Sequence, residues 1–202
     1  MLCMTLNVSA SLLNNSIDLL STHFLFTRPF VFASGLTSFA TTRYPILATG
    51  IIQKKAHITS PPYTYFHSLN ISSLEILTFA KYGLADIDML SEFIVPSLRT
   101  SMLSETWSNG GKNLPSNCTG QYHTENIEQL SFNFTVHYDH SKWLVSQNDS
   151  WTCIGDMNRQ IEQKRRHGGF ACVKNRYIQQ RFKQLVSLIE SCPIKFFLNK
   201  SN

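Results

Sequence analysis

Five cysteines are spread unevenly over the 202 residues: Cys118, Cys153, Cys172 and Cys192 fall in the second half, and Cys3 stands alone near the start. Four cysteines toward the carboxyl end fit two disulfides in an oxidising compartment, and two such crosslinks restrict how this half can fold. Zinc ligation is the rival use of the thiols, and the lack of any Cys-x-x-Cys spacing makes it the weaker one. With 43% hydrophobic and only 15% charged residues, the chain belongs among globular rather than disordered sequences, and its length suits one domain with a core.

Asn-x-Ser/Thr occurs at Asn7, Asn14, Asn70, Asn117, Asn133, Asn148 and Asn199, more often than composition alone predicts, which points to a glycosylated secretory protein. Residues 1–20 do not form a convincing signal peptide: they lack a basic start, and Asn7, Asn14, Asn15 and Asp18 interrupt the apolar residues. An extracellular-looking body with such a beginning suggests a truncated chain or a misplaced start. No apolar run reaches the roughly 18 residues of a membrane span.

Three segments are expected along the chain: a poorly defined 1–60 that could be read as a remnant of a preceding half, a main unit 61–193, and a tail 194–202. Residues 23–32 and 44–52 read as strands, and Pro61-Pro62 as a turn or linker. Asp86 is placed to cap a helix with Ile87, Leu90 and Ile94 on one face, ending before Pro96. Strands are expected over 98–107, 127–134 and 138–145, with Asn109-Gly110-Gly111 as a turn. Residues 176–191 place Ile178, Phe182, Leu185, Val186 and Ile189 at helical spacing, stopped by Pro193. The fold class is therefore α+β: a mixed β-sheet flanked by helices.

The chemistry concentrates in His140-Ser141-Lys142-Trp143 and in Trp151-Thr152-Cys153-Ile154-Gly155-Asp156-Met157-Asn158-Arg159. On a strand, His140 and Lys142 would share a face and could address one phosphate. Histidine serves as nucleophile or acid, lysine brings charge to non-bridging oxygens, and Asn158 adds neutral donors beside Gly155. None of these roles needs a metal ion or other cofactor. From Asn158 to Lys183 eight Lys/Arg face one acid, Glu162, which exceeds the whole net charge of +5. Such a block suits a polyanion, or else a solvated basic helix face. Arg159, Lys164, Arg165 and Arg166 are the candidates for gripping backbone phosphates. Trp143 and Trp151 could stack on bases, although core support is the stronger reading.

His-x-Lys alone is a weak signal. Joined to the Gly-Asp-x-Asn run about eighteen residues later, it is similar to the His-x-Lys…Gly-Ser-x-Asn pattern of the phospholipase D superfamily. The wording resembles, within it, the deoxyribonuclease II family. Phe79-Ala80-Lys81, Leu114-Pro115-Ser116-Asn117-Cys118, Asp139-His140-Ser141-Lys142-Trp143, Gly168-Gly169 and Cys192-Pro193 carry the likeness from about residue 74 to 193. It implies one half of a phospholipase D-like pseudo-dimer, with disulfides Cys153–Cys172 and Cys118–Cys192. It implies acid, metal-independent hydrolysis of DNA to 3′-phosphate ends. His140 forms a phosphoenzyme, Lys142 and Asn158 bind the phosphate, and a histidine of a second His-x-Lys motif protonates the leaving oxygen. It also implies a lysosomal or secreted location.

The chain departs from that pattern in one respect that matters: none of His23, His57, His67, His123, His137 and His167 is followed two residues later by Lys. Leu144 replaces the family's frequent cysteine after the tryptophan. One motif makes half a site, so a monomer of this chain could be inactive and a homodimer could complete the site. The readings are then a deoxyribonuclease II-like endonuclease, a non-catalytic secreted DNA-binding glycoprotein derived from that family, and a lipid phosphodiesterase. The last has no amphipathic membrane-binding stretch to support it beyond the final helix, whose apolar stripe reads as core.

Overall fold

The computed structural model describes residues 26–27, 58–71, 73–132, 134–190 and 192. The strands expected over 44–52 and most of 23–32 lie outside them, as does Pro193. Phe26 and Thr27, the described pair of the earlier segment, are helical rather than extended.

The described residues form a mixed sheet in the order β1-β2-β8-β7-β6-β3-β4-β5, with β9 paired to β4. Pro61-Pro62 leads into β1 (Thr64–Ile71), which makes an antiparallel hairpin with β2 (Leu74–Lys81). β3 (Met102–Thr106), β6 (Lys142–Ser146), β7 (Trp151–Gly155) and β8 (Gly168–Lys174) form the antiparallel centre, and β8 closes onto β2. β3 runs parallel to β4 (Thr124–Leu130), which also pairs with β5 (Phe134–Thr135) and β9 (Val186–Glu190).

Alternation along the central strands divides the core between the two faces of the sheet. Phe79, Met102, Leu144 and Phe170 pack under a helix, α1, that supplies Met89, Leu90, Ile94 and Val95. On the other side Leu103, Ile127, Trp143 and Val145 meet Phe182, Val186 and Ile189. Thirteen buried residues make up the first cluster, so the α1 face dominates the apolar burial that holds the domain.

Helix α1 differs from its expected bounds. Asp86 has φ of 50° and ends a short 3₁₀ turn, Gly83–Ala85; the N-cap is Asp88, whose carboxylate accepts from Leu90 N. The helix also continues through Pro96. Met89–Ile94 carries wide π-type bonding, with Val95 N donating to Leu90 O, and Pro96 falls in the first turn of the α segment Val95–Leu98, where its missing N–H costs nothing. Leu98 therefore lies in the helix, not at the head of β3.

The expected helix over 176–191 is two elements. α2 (Arg176–Lys183), capped by Asn175, ends at a turn, and Val186–Glu190 becomes β9 against β4. Phe182, Val186 and Ile189 do face the core, but β-branched Val186 and Ile189 gain more from pairing with β4 than from another helical turn. Helical cover is consequently thinner than the sequence suggests. Both disulfides implied by the resemblance are formed, Cys118–Cys192 and Cys153–Cys172; the second links directly opposed residues of β7 and β8. A His123–Glu125–Cys192 cluster has no free thiol, since Cys192 is in a disulfide. No described helix is long and apolar enough to cross a membrane.

Candidate active site

The His140 side chain is not on a strand. Asp139 accepts from Ser141 N and Ser141 Oγ, a local turn that keeps 139–141 out of the ladder, and β6 begins only at Lys142. This corrects the expectation that His140 and Lys142 share a strand face. They meet by another route: Lys142 Nζ donates to the His140 carbonyl, and the exposed His140 ring stacks on Trp107, 4.1 Å away between centroids. Trp107 is in turn held by Nε1 donating to His137 O at 3.0 Å.

Lys142 pairs across the sheet with Thr106, and Thr106 Oγ1 accepts from Arg159 N at 3.3 Å, so the Asn158–Arg159 loop comes to the same end of the sheet. Asn158 is 7% exposed, and its Oδ1 meets no donor among the described residues. A buried unpaired acceptor is costly, and its presence here marks a place where a hydrogen-bond donor would be accommodated. Burial pushes the Lys142 ammonium below its ordinary pKa, opposed by Glu105, Asp139 and Asp156 and helped by Arg166. Those couplings gather charges from β3, from the loop before β6 and from the β7–β8 connection at one site.

Glu105 carries no motif in the sequence, although it adjoins the 139–141 turn. It is fully buried on β3 opposite Trp143, and one oxygen accepts from Ser141 Oγ at 3.0 Å. Burial, with the Asp139 charge, pushes its carboxyl up to about 8, against a smaller pull from Ser141 and Lys142. Lys81 enters the sequence reading only as part of a likeness, yet it has a definite structural role. Its buried ammonium donates to the carbonyls of Gln163, Lys164 and Arg166 at 3.1, 2.6 and 2.8 Å. With Gly83 N donating to His167 Nδ1 at 3.0 Å, it moors the whole basic turn, Ile161–Arg165. Burial lowers Lys81 to about 8, opposed chiefly by Asp86 and Asp88, so it stays an ammonium in acid.

The four basic candidates separate. Arg159 is 3% exposed and lies inside the fold, with Nε and Nη2 on Asp88 at 3.0 and 2.9 Å and Nη1 on Asn126 at 2.6 Å. Its guanidinium ties the site loop to α1 and β4 through Asp88, an internal partner seventy-one residues away that charge counting cannot see, and through Asn126. Arg165 and Arg166 are exposed, Arg165 beside Asp86, and half-buried Lys164 lies 3.8 Å from Glu92. Trp143 and Trp151 are buried, Trp143 against Phe182 and Trp151 under Lys174, which settles them as core and leaves Trp107 as the aromatic at the site.

A family model described as Deoxyribonuclease II matches residues 1–192. The chain belongs to the deoxyribonuclease II family. The match includes the first sixty residues, where the likeness of wording is faint. Among curated relatives, Deoxyribonuclease-2-beta of Rattus norvegicus is 46% identical over 126 residues, 59% of this chain and 35% of that protein. Plancitoxin-1 of Acanthaster planci is 32% identical over 81% of this chain and 47% of its own length, and Deoxyribonuclease-2-alpha of Sus scrofa 30% over 86% and 49%. The chain thus spans half or less of these relatives.

Proposed function

We propose that this chain carries half of a two-histidine site that hydrolyses DNA phosphodiesters in acid without a divalent metal, leaving 3′-phosphate ends. The observation that carries this reading is the exposed His140 ring fixed against Trp107, with Lys142 and the Asn158 loop at the same sheet end. An imidazole nitrogen of His140 attacks phosphorus and forms a P–N bond as the P–O5′ bond breaks. The departing oxygen takes a proton from the second imidazole, and water then cleaves the P–N bond to release the 3′-phosphate. Lys142 and Asn158 stabilise the phosphoryl oxygens as charge accumulates there.

The second imidazole comes from a second copy of the chain, joined in an isologous dimer that brings two His140 residues to one phosphate. The superfamily's half-and-half arrangement supports this, as does the single His-x-Lys in the sequence. A lysosomal or secreted setting with glycans fits the two disulfides and the exposed sequon residues Asn70 and Asn148.

Plasmid nicking at about pH 5 in EDTA, beside a His140→Ala control, tests the reading. Metal-independent cutting that disappears in the control supports it. Absence of cutting by a folded, disulfide-intact sample that still binds plasmid would favour the non-catalytic DNA-binding glycoprotein instead.

A further inference from the structure

The pairing of β3 with β4 stops at Ser104–Asn126, and beyond that point β5 takes up the edge of β4. A cavity of about 460 Å³ opens there, lined by Thr106, Asn126, Glu128, Thr135, His137 and Glu190 and by the two ends of the 108–115 segment. We propose that it is a subsite for a nucleobase bearing an exocyclic amino group, next to the phosphate at Lys142. This rests on the nucleolytic reading above.

Placement is the first argument. Thr106 lines the cavity and is also the cross-strand partner of Lys142, so the two lie side by side on one face of the sheet. The volume falls within the roughly 300–1,000 Å³ usual for ligand sites.

Charge is the second. The exposed cations Arg165 and Arg166 lie on the β2–β8 side of Lys142, where the 161–165 turn docks on Lys81. The cavity lies on the opposite, β4 side, and its one lysine or arginine, Arg159, is already committed to Asp88 and Asn126. What the cavity presents instead is carboxylate. Burial would push the Glu190 carboxyl up, but hydrogen bonds from Asn126 and Ser116, with Arg159 nearby, outweigh it and hold the group below its ordinary range. Asn126 Nδ2 and Ser116 N and Oγ all donate to Oε2, at 2.8, 2.9 and 3.0 Å, which fixes the carboxylate at the cavity wall. A phosphate finds no uncommitted lysine or arginine among the described lining residues, whereas an amino edge of cytosine or adenine is what a fixed carboxylate accepts. Leu114, Pro115 and Val136 supply apolar surface for the ring.

The test is titration of the full 202-residue chain, at about pH 5, with deoxycytidine and with thymidine, read by backbone amide shifts. Deoxycytidine should move Thr106, Asn126 and Thr135, with thymidine about tenfold weaker, the scale of one charge-assisted hydrogen bond. Ser108→Trp or, should that variant not fold, Thr135→Trp should fill the space and abolish both responses. Equal binding of the two nucleosides, no shift at the cavity in a folded chain, or binding that survives the filling variant would overturn the proposal. Nucleoside binding by a chain that does not nick plasmid would leave the subsite standing and remove the cleavage reading; nicking without nucleoside binding would do the reverse.

Discussion

The imidazole of His140 and the indole of Trp107 lie 4.1 Å apart with 33° between their planes. The nucleophile we propose is thus oriented by a ring from the end of β3, not by the regular geometry of its own strand. Trp107→Ala should lower the DNA-cleavage rate at saturating substrate by about tenfold to a hundredfold, the cost of losing orientation at a reacting group. Trp107→Phe, which keeps an aromatic face, should recover most of it. Equal rates for Ala and wild type would remove Trp107 from the site.

Lys81 makes a different kind of prediction, one about folding. Lys81→Met keeps the length of the side chain and removes the donor to the Lys164 and Arg166 carbonyls, while Gln163 O keeps Arg166 N; each carbonyl left unpaired costs about 1–3 kcal/mol. A loss of about 3 kcal/mol is expected in urea unfolding, along with increased amide exchange at residues 163–167. Unchanged exchange there would mean the basic turn is held by other interactions.

Glu105 sets a pH trend. Its folded pKa, about 8, lies above the ordinary 4.5, so the folded chain keeps a proton that the unfolded chain releases between those values. The stability linked to this group is complete below about 4.5 and is lost as pH rises through about 8. The wild-type unfolding free energy should therefore decline from pH 4.5 to 8, and Glu105→Gln should flatten that decline by on the order of 2 kcal/mol. Urea midpoints across the range decide it; parallel profiles would show that Glu105 ionises normally.

The basic turn is tested by salt. Arg165→Ala and Arg166→Ala should each reduce the slope of log binding constant against log salt by about 0.7–1 for each phosphate the side chain grips, without changing sequence preference. Arg159→Met should leave the slope alone and instead destabilise the chain by about 3–5 kcal/mol, because it abandons the Asp88 carboxylate in the interior.

Much of this arrangement is legible in the residues themselves. Alternating apolar residues announce β4, the strand expected over 138–145 is present as the shorter β6, and the tryptophans Trp143 and Trp151 read as core first and as base-stacking rings second. Two kinds of information are not local. Whether residues 186–190 prolong α2 or leave it depends on an open edge of β4, sixty residues earlier in the chain, and helical spacing alone cannot reveal that partner. Whether Arg159 is a surface charge depends on Asp88, which lies outside the basic block altogether. The involvement of Glu105 and Trp107 follows from the register of β3 against β6, which no motif encodes.

Among the described strands, β3 and β4 are the parallel neighbours. Two parallel strands cannot be joined by a tight hairpin; the chain must travel back over the whole length before it can begin again. Here that return journey is residues 107–123, and it lays down Trp107, Asn113, Leu114 and Pro115 along the way. A detour imposed by strand direction has become the wall of the cavity and the support for His140. Any rearrangement that turned this neighbouring pair antiparallel would shorten the loop and erase both.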